Sequence, residues 1–124
     1  MKSIKEILSS HGYDSIEAVP TDTYAEISVE GYEDLTIEKI TPNRLSVSQS
    51  YTQRGDIMRD PEIVFKITGD KWIAVMYQQD DIGKFQQDDS GIKSATTFAH
   101  NLWDSNLQSQ GFVEAAKNKE SLFN

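Results

Sequence analysis

Apolar residues near the start of the chain recur at the spacing of a helix. Ile4, Ile7 and Leu8 fall on one face of such a helix, which predicts a short helical segment over residues 3–10. Ser3 and Glu6 have the spacing of a capping box, in which each side chain bonds to a backbone N–H of the first turn. The opening segment is therefore expected to be a short amphipathic helix.

The period then changes to two, the spacing of strands with one buried face. It returns to three and four near residue 92, and the apolar stripe predicts a long helix over residues 91–110. We predict an α+β fold: a short N-terminal helix, a curved antiparallel sheet of four or five strands, and a long C-terminal helix packed on one face. The strands are expected at 23–30, 35–41, 44–52, 62–68 and 71–78, and a short edge strand at 84–87 remains open.

Length and composition favour one globular domain over residues 1–124, with a core of about 23–112 and a frayed tail at 113–124. A chain of this size buries roughly two-thirds of its unfolded surface without disulfides or metals. Cysteine is absent, and neither a signal peptide nor an apolar stretch of bilayer length is evident. These features predict a cytoplasmic location.

The charge is strongly acidic: 20 Asp and Glu against 12 Lys and Arg, a net charge of −8. Such a surface repels phosphates, which argues against direct nucleic-acid or membrane binding and favours a basic protein partner. Solubility alone is the alternative explanation of this charge. The acids expected to contact a partner lie before the second strand and in the loop after the fifth: Glu30, Glu33, Asp34, Asp80, Asp81, Asp88 and Asp89.

A second acidic group lies between the third and fourth predicted strands. It is predicted to be a structural turn made by Gly55, Asp56, Asp60, Pro61 and Glu62. The alternative is a small metal-dependent enzyme in which Asp56, Asp60 and Glu62 bind Mg²⁺ or Ca²⁺. No residue pattern indicates a nucleophile, a phosphate-binding loop or a dinucleotide site. We therefore predict no catalytic residue, no metal ligand and no cofactor.

Three segments carry a resemblance to a known family: YTQRGDIMRDPEIVFKI, WIAVMYQQDDIG and FAHNLWDSNLQSQGF. Together they resemble an uncharacterised small-domain family of bacterial phages, plasmids and conjugative elements. The family pattern is a G-D-x-M-x-D-P-E turn, a strand ending in Q-x-D, and a helix with F-A and a tryptophan (here Trp103) before Q-G-F. The matching residues are Gly55, Asp56, Met58, Asp60, Pro61, Glu62, Gln79, Asp81, Phe98, Ala99, Gln110, Gly111 and Phe112.

The resemblance implies a setting on a mobile element but no catalytic residues. Small acidic proteins from that setting include inhibitors of restriction enzymes. They also include anti-CRISPR proteins, which inhibit RNA-guided nucleases. The resulting hypothesis is a non-enzymatic protein that inhibits a basic host-defence protein, such as an RNA-guided nuclease, by occupying its nucleic-acid groove. Besides the metal-dependent enzyme, a structural accessory domain that associates through an exposed strand edge is the other alternative.

Overall fold

One six-stranded antiparallel sheet organises the chain, and its strands lie in sequence order from β1 to β6. The computed structural model describes residues 1–123. The strands are β1 (Tyr24–Ile27), β2 (Asp34–Thr41), β3 (Arg44–Gln53), β4 (Asp56–Thr68), β5 (Lys71–Gln79) and β6 (Lys84–Gln87). The α-helices are α1 (Lys2–Ser10), α2 (Lys93–Phe98), α3 (Asp104–Ser109) and α4 (Phe112–Lys117). Short 3-10 turns occupy Ile16–Ala18 and Asp80–Ile82, and a π-helical turn occupies Ala99–Trp103.

The predicted α+β class is confirmed, with two differences in detail. The sheet has six strands rather than four or five, because residues 84–87 do form an edge strand on β5. The predicted long helix is shorter at both ends and contains the π-helical turn between α2 and α3. A π turn adds one residue per turn without removing the apolar stripe, so the sequence pattern does not signal it.

The core lies between one face of the sheet and the helices. Inward-facing strand residues such as Ile37, Val47 and Phe65 are fully buried there, and Trp103 and Leu107 cover them from the helical side. These residues alternate with polar ones that lie on the opposite face of the sheet, which we call the open face. Among residues 1–123, no helix combines the length and apolarity that a bilayer crossing requires.

The core extends beyond the predicted limits of 23–112 on both sides. Ile4 and Ile7 of α1 are fully buried, and so is Ala116 of α4. Leu122 is also buried, and Phe123 forms a bridge to Ala25 on β1. The described part of the predicted tail is therefore packed rather than frayed, because apolar residues at 113, 116, 122 and 123 give it surface to bury; Asn124 lies outside the described residues.

The predicted acidic turn is mostly strand, which corrects its placement. Only Gly55 of that group lies in the β3–β4 turn, beside Arg54, and both have positive φ, 86° and 53°. β4 begins at Asp56, so Asp56, Asp60, Pro61 and Glu62 lie within it. Ser48 pairs with Glu62 and Ser50 with Arg59, so Asp60 and Pro61 face Gln49 alone in a β-bulge. A bulge tolerates a proline because its missing N–H breaks no ladder bond.

Candidate protein-binding surface

The loops at one end of the sheet bring together acids that are far apart in sequence. β2, β4 and β6 begin at this end, and β3 and β5 finish there, as the pairs Asp34–Ser50, Asp56–Gln53 and Lys84–Gln79 show. We call it the acidic end. Its members come from the β1–β2 loop, the start of β2, β4 and the turn after β5: Glu30, Glu33, Asp34, Asp56, Asp60, Asp80 and Asp81.

Glu33 and Asp60 form a carboxyl pair at the acidic end. The two side chains are hydrogen-bonded, and the charge of Asp81 acts on Glu33 as well. Partial burial, followed by the negative charge of Asp60 and this hydrogen bond, raises the pKa of Glu33 to about 7. Gln79 donates a hydrogen bond from Nε2 to Oδ1 of Asp60. Below about pH 7, Glu33 therefore keeps a proton that an ordinary glutamate would have lost.

Two tyrosines border this pair. The hydroxyl of Tyr77 lies 2.9 Å from Oε1 of Gln79 and donates to it, which links the ring to Asp60 through the amide. Burial, with the charges of Asp60 and Asp81, raises the pKa of Tyr77. Burial and the charges of Asp81 and Asp60 likewise raise the pKa of Tyr51. Both phenols therefore stay protonated at neutral pH and remain hydrogen-bond donors.

Asp80 is committed to bonds within the chain. Its Oδ2 accepts the backbone N–H of Arg59 at 2.8 Å, and its Oδ1 accepts Nε2 of Gln78 at 2.7 Å. These two hydrogen bonds, with the nearby Arg59 guanidinium, lower the pKa of Asp80. Asp80 thus fixes the turn between β5 and β6, whereas its neighbour Asp81 is exposed.

The other two predicted contact residues, Asp88 and Asp89, lie away from the acidic end, after β6. Asp88 accepts hydrogen bonds from the backbone N–H and the hydroxyl of Ser90, at 2.9 Å and 2.6 Å. Oδ1 of Asp89 lies 3.3 Å from a guanidinium nitrogen of Arg44, in an exposed ion pair. The seven predicted contact residues therefore do not form one patch: five lie at the acidic end, and Asp88 and Asp89 lie at the far end of β6.

The carboxylates of the alternative metal site do not converge on one point. The bulge in β4 places Asp60 and Glu62 beside different residues. Asp60 bonds to Gln79 next to Glu33. Glu62 accepts the hydroxyl of Ser46 at 2.6 Å and pairs with Arg59 at 2.9 Å. Asp56 is exposed beside the β3–β4 turn. Within residues 1–123, no three His, Asp or Glu side chains are arranged to hold a metal ion.

The open face carries exposed apolar residues that the sequence patterns did not single out. Tyr24, Ile40 and Ile57 are 46%, 48% and 63% exposed. With the serines of β3 they line a shallow concavity of about 410 Å³. The sequence patterns do not single out the exposed Phe85 either. The feature that could have identified it is a lone aromatic residue in a short polar strand between two Asp doublets. The Glu33–Asp60 pair has no sequence signal, because the fold alone joins these positions.

Glu33 should make the stability of the protein depend on pH. Between its ordinary pKa of 4.5 and its folded pKa of about 7, the folded state keeps a proton that the unfolded chain has lost. Stability should therefore fall as pH rises through that window, and the loss should be complete above it. We expect Glu33→Gln to raise the free energy of unfolding by about 1 kcal/mol at pH 8, allowing for solvent screening of this half-exposed group, and by much less at pH 5.

Urea unfolding of both proteins from pH 5 to pH 8 measures this effect. Glu30→Gln is the matched control, since Glu30 is exposed in the same loop. If the free energy of unfolding of Glu33→Gln depends on pH in the same way as that of Glu30→Gln and of the parent protein, Glu33 does not keep the extra proton.

Comparisons with known proteins identify a family and nothing closer. Neither the curated proteins nor the solved structures contain a significant match to this chain. A model of a family described as a domain of unknown function, DUF6908, matches residues 2–113. This range takes in α1, the whole sheet, α2, α3 and the start of α4. Since the match spans most of the chain, the protein belongs to the DUF6908 family.

Proposed function

We propose that this protein is a non-enzymatic binding module whose acidic surface docks on a basic protein. The observation that carries the proposal is the arrangement of charge around the β5–β6 hairpin. Asp81 lies exposed before β6, and Asp88 and Asp89 lie exposed after it. Opposite charge on a partner would steer its approach and fix its orientation, with a strong dependence on salt.

The partner class that we favour is a host-defence protein that binds nucleic acid, such as an RNA-guided nuclease. Such a protein carries a groove rich in Lys and Arg, and carboxylates spaced along an exposed hairpin would compete there with phosphates. The resemblance to a family of phages and conjugative elements supports the same class. The proposed effect on the partner is inhibition by occupation of its nucleic-acid groove.

Neutralising the exposed acids of the hairpin should weaken this binding. We expect Asp81→Asn, Asp88→Asn and Asp89→Asn together to lower affinity about tenfold or more, mainly through slower association. Asparagine can still accept the hydrogen bonds from Ser90, and Asp80 is left intact because it fixes the turn. The partner is first captured from bacterial lysate at low salt and identified by mass spectrometry, and its association is then measured with purified protein.

The matched control removes the same number of exposed carboxylates elsewhere, through Glu17→Gln, Glu114→Gln and Glu120→Gln. We expect this variant to bind within about twofold of the parent protein, because charges beyond a Debye length of about 8 Å are largely screened. Equal weakening by both triple variants would show that only net charge matters. Unchanged binding by the hairpin variant would remove the hairpin from the interface.

A further inference from the structure

The outer edge of β6 is an unpaired strand edge. β6 pairs with β5 on one side, and among residues 1–123 no strand pairs with its other side. The opposite edge of the sheet differs, because Phe123 bridges to Ala25 on β1. An exposed edge offers a row of backbone donors and acceptors to any extended chain. β6 is therefore the end of the sheet where an added strand fits.

The hydrogen-bond pattern identifies which backbone groups point outward. Asp88 donates its N–H to the carbonyl of Val75 at 2.9 Å, so residue 88 forms a hydrogen-bonded pair with β5. These pairs alternate in an antiparallel ladder, so Lys84 and Gln86 face β5 in the same way. Phe85 and Gln87 consequently direct their N–H and C=O groups away from the sheet. Two residues at this spacing present two donors and two acceptors to an incoming strand.

Side chains beside this edge would hold an apolar residue of the added strand. Lys84 lies over the ring of Tyr77, which packs against Phe98 on the helical side. Because side chains alternate along a strand, Phe85 projects from the open face, opposite Gln78. Its ring is 59% exposed, and Ile82 in the preceding turn is 67% exposed. An apolar residue of the added strand, placed next to Phe85, would bury part of that ring.

The charges at the two ends of β6 select the chemistry of the added strand. Asp80 and Asp81 precede the strand and Asp88 and Asp89 follow it, with Ile82, Gly83 and the four residues of β6 between the two doublets. At about 3.3 Å per residue, β6 alone spans about 13 Å between the turn that carries the first doublet and the start of the second. We propose that β6 binds an extended basic segment of the partner by strand addition, with Lys or Arg at both ends and an apolar residue between them. This inference rests on the proposed function and specifies its contact.

A second copy of this chain fits the same edge less well. It would bring its own two Asp doublets to the strand pair, and like charges placed close together oppose pairing. A basic segment instead satisfies the free backbone groups and at the same time brings positive charge to the exposed carboxylates of Asp81 and Asp88. Self-association through β6 would therefore overturn the proposal.

A synthetic peptide of stated chemistry tests the inference directly. The probe is Lys-Arg-Thr-Val-Thr-Val-Lys-Arg with blocked ends, compared with the same peptide N-methylated at every central amide. Methylation keeps the charges and side chains but prevents strand pairing. We expect the unmodified peptide to bind at least about tenfold more tightly, to shift the amide NMR signals of Phe85 and Gln87, and to slow their hydrogen exchange.

Protein variants separate the backbone contact from the apolar contact. Phe85→Pro removes an outward N–H, and an edge strand tolerates proline at such a position. Phe85→Ala is its matched control, because it keeps that N–H and removes the ring. We expect Phe85→Pro to weaken peptide binding about tenfold and Phe85→Ala about threefold. Gln87→Pro, which removes the other outward N–H, provides a second test if Phe85→Pro disturbs the fold.

Three outcomes would overturn strand addition. The first is equal binding of the methylated and unmodified peptides, which would mean attraction by charge alone. The second is undiminished peptide binding by folded Phe85→Pro and Gln87→Pro variants. The third is a dimer of the free protein in sedimentation that Phe85→Pro abolishes. In the first two cases, if the triple Asp→Asn variant of the hairpin no longer binds the partner, the proposed function still stands. If that variant binds the partner as tightly as the parent protein does, the proposed function itself is refuted.

Discussion

Trp103→Ala should lower the free energy of unfolding by about 4 kcal/mol, the largest effect expected from any change considered for this protein. The side chain is 2% exposed and stacks on Phe98 at 6.2 Å between ring centroids. Its indole N–H donates to Oε1 of Gln49 at 2.8 Å, so the helical segment is tied to β3 through a buried polar group. Truncation leaves a cavity and removes the partner of Gln49.

Trp103→Phe separates these two contributions. It keeps most of the buried ring and removes the N–H, so we expect a loss of about 1–3 kcal/mol. Urea unfolding followed by circular dichroism measures both variants. A loss below about 1 kcal/mol for Trp103→Ala would show that the helices contribute little to the stability of the sheet.

Asp104→Ala should cost about 2–3 kcal/mol, the second largest effect. Oδ1 of Asp104 accepts the backbone N–H of Ser3 at 2.8 Å and the Ser3 hydroxyl at 2.6 Å. Ser3 is fully buried, so removal of the carboxylate leaves two buried donors without a partner. The carboxylate also lies at the N-terminus of α1, where negative charge is favourable. The capping box expected from Ser3 and Glu6 is thus replaced by a cap from α3.

Asp104→Asn is the informative control, since the amide keeps an acceptor for Ser3 and loses the charge. We expect it to cost about half as much as Asp104→Ala in thermal unfolding at neutral pH. Equal costs for the two variants would assign the whole effect to charge, and no cost for either would show that α1 docks without this cap.

The parts of the fold that follow from local periodicity could be predicted from the sequence. The alternation of Leu45 and Val47 with serines places β3 within one residue of its observed end. The start of β4 could not be predicted, because Pro61 and the acids around it have the composition of a turn. The structure accommodates them in a bulge, where pairing with β3 resumes on both sides. Such a bulge depends on the partner strand and leaves no local signal.

The candidate surface could likewise be predicted from the sequence only in part. The Asp doublets around β6 are visible as a charge pattern, and so is the acidic character of the chain. The pairing of Glu33 with Asp60 depends on the register of three strands, which no spacing in the sequence encodes. Proximity in sequence groups Glu62 with Asp60, yet the bulge gives them different partners: Ser46 and Arg59 for Glu62, and Gln79 for Asp60.

The burial of both tryptophans on the helical side of the sheet has an optical consequence. Trp72 is 7% exposed and Trp103 is 2% exposed, and Trp72 packs on Phe65 with 5.5 Å between ring centroids. Intrinsic tryptophan fluorescence therefore reports on the packing of the helices against the sheet. The β6 edge contains no tryptophan. Emission that stays constant while a partner docks, and shifts to the red only when the chain unfolds, would distinguish surface recognition from disruption of the core without any added label.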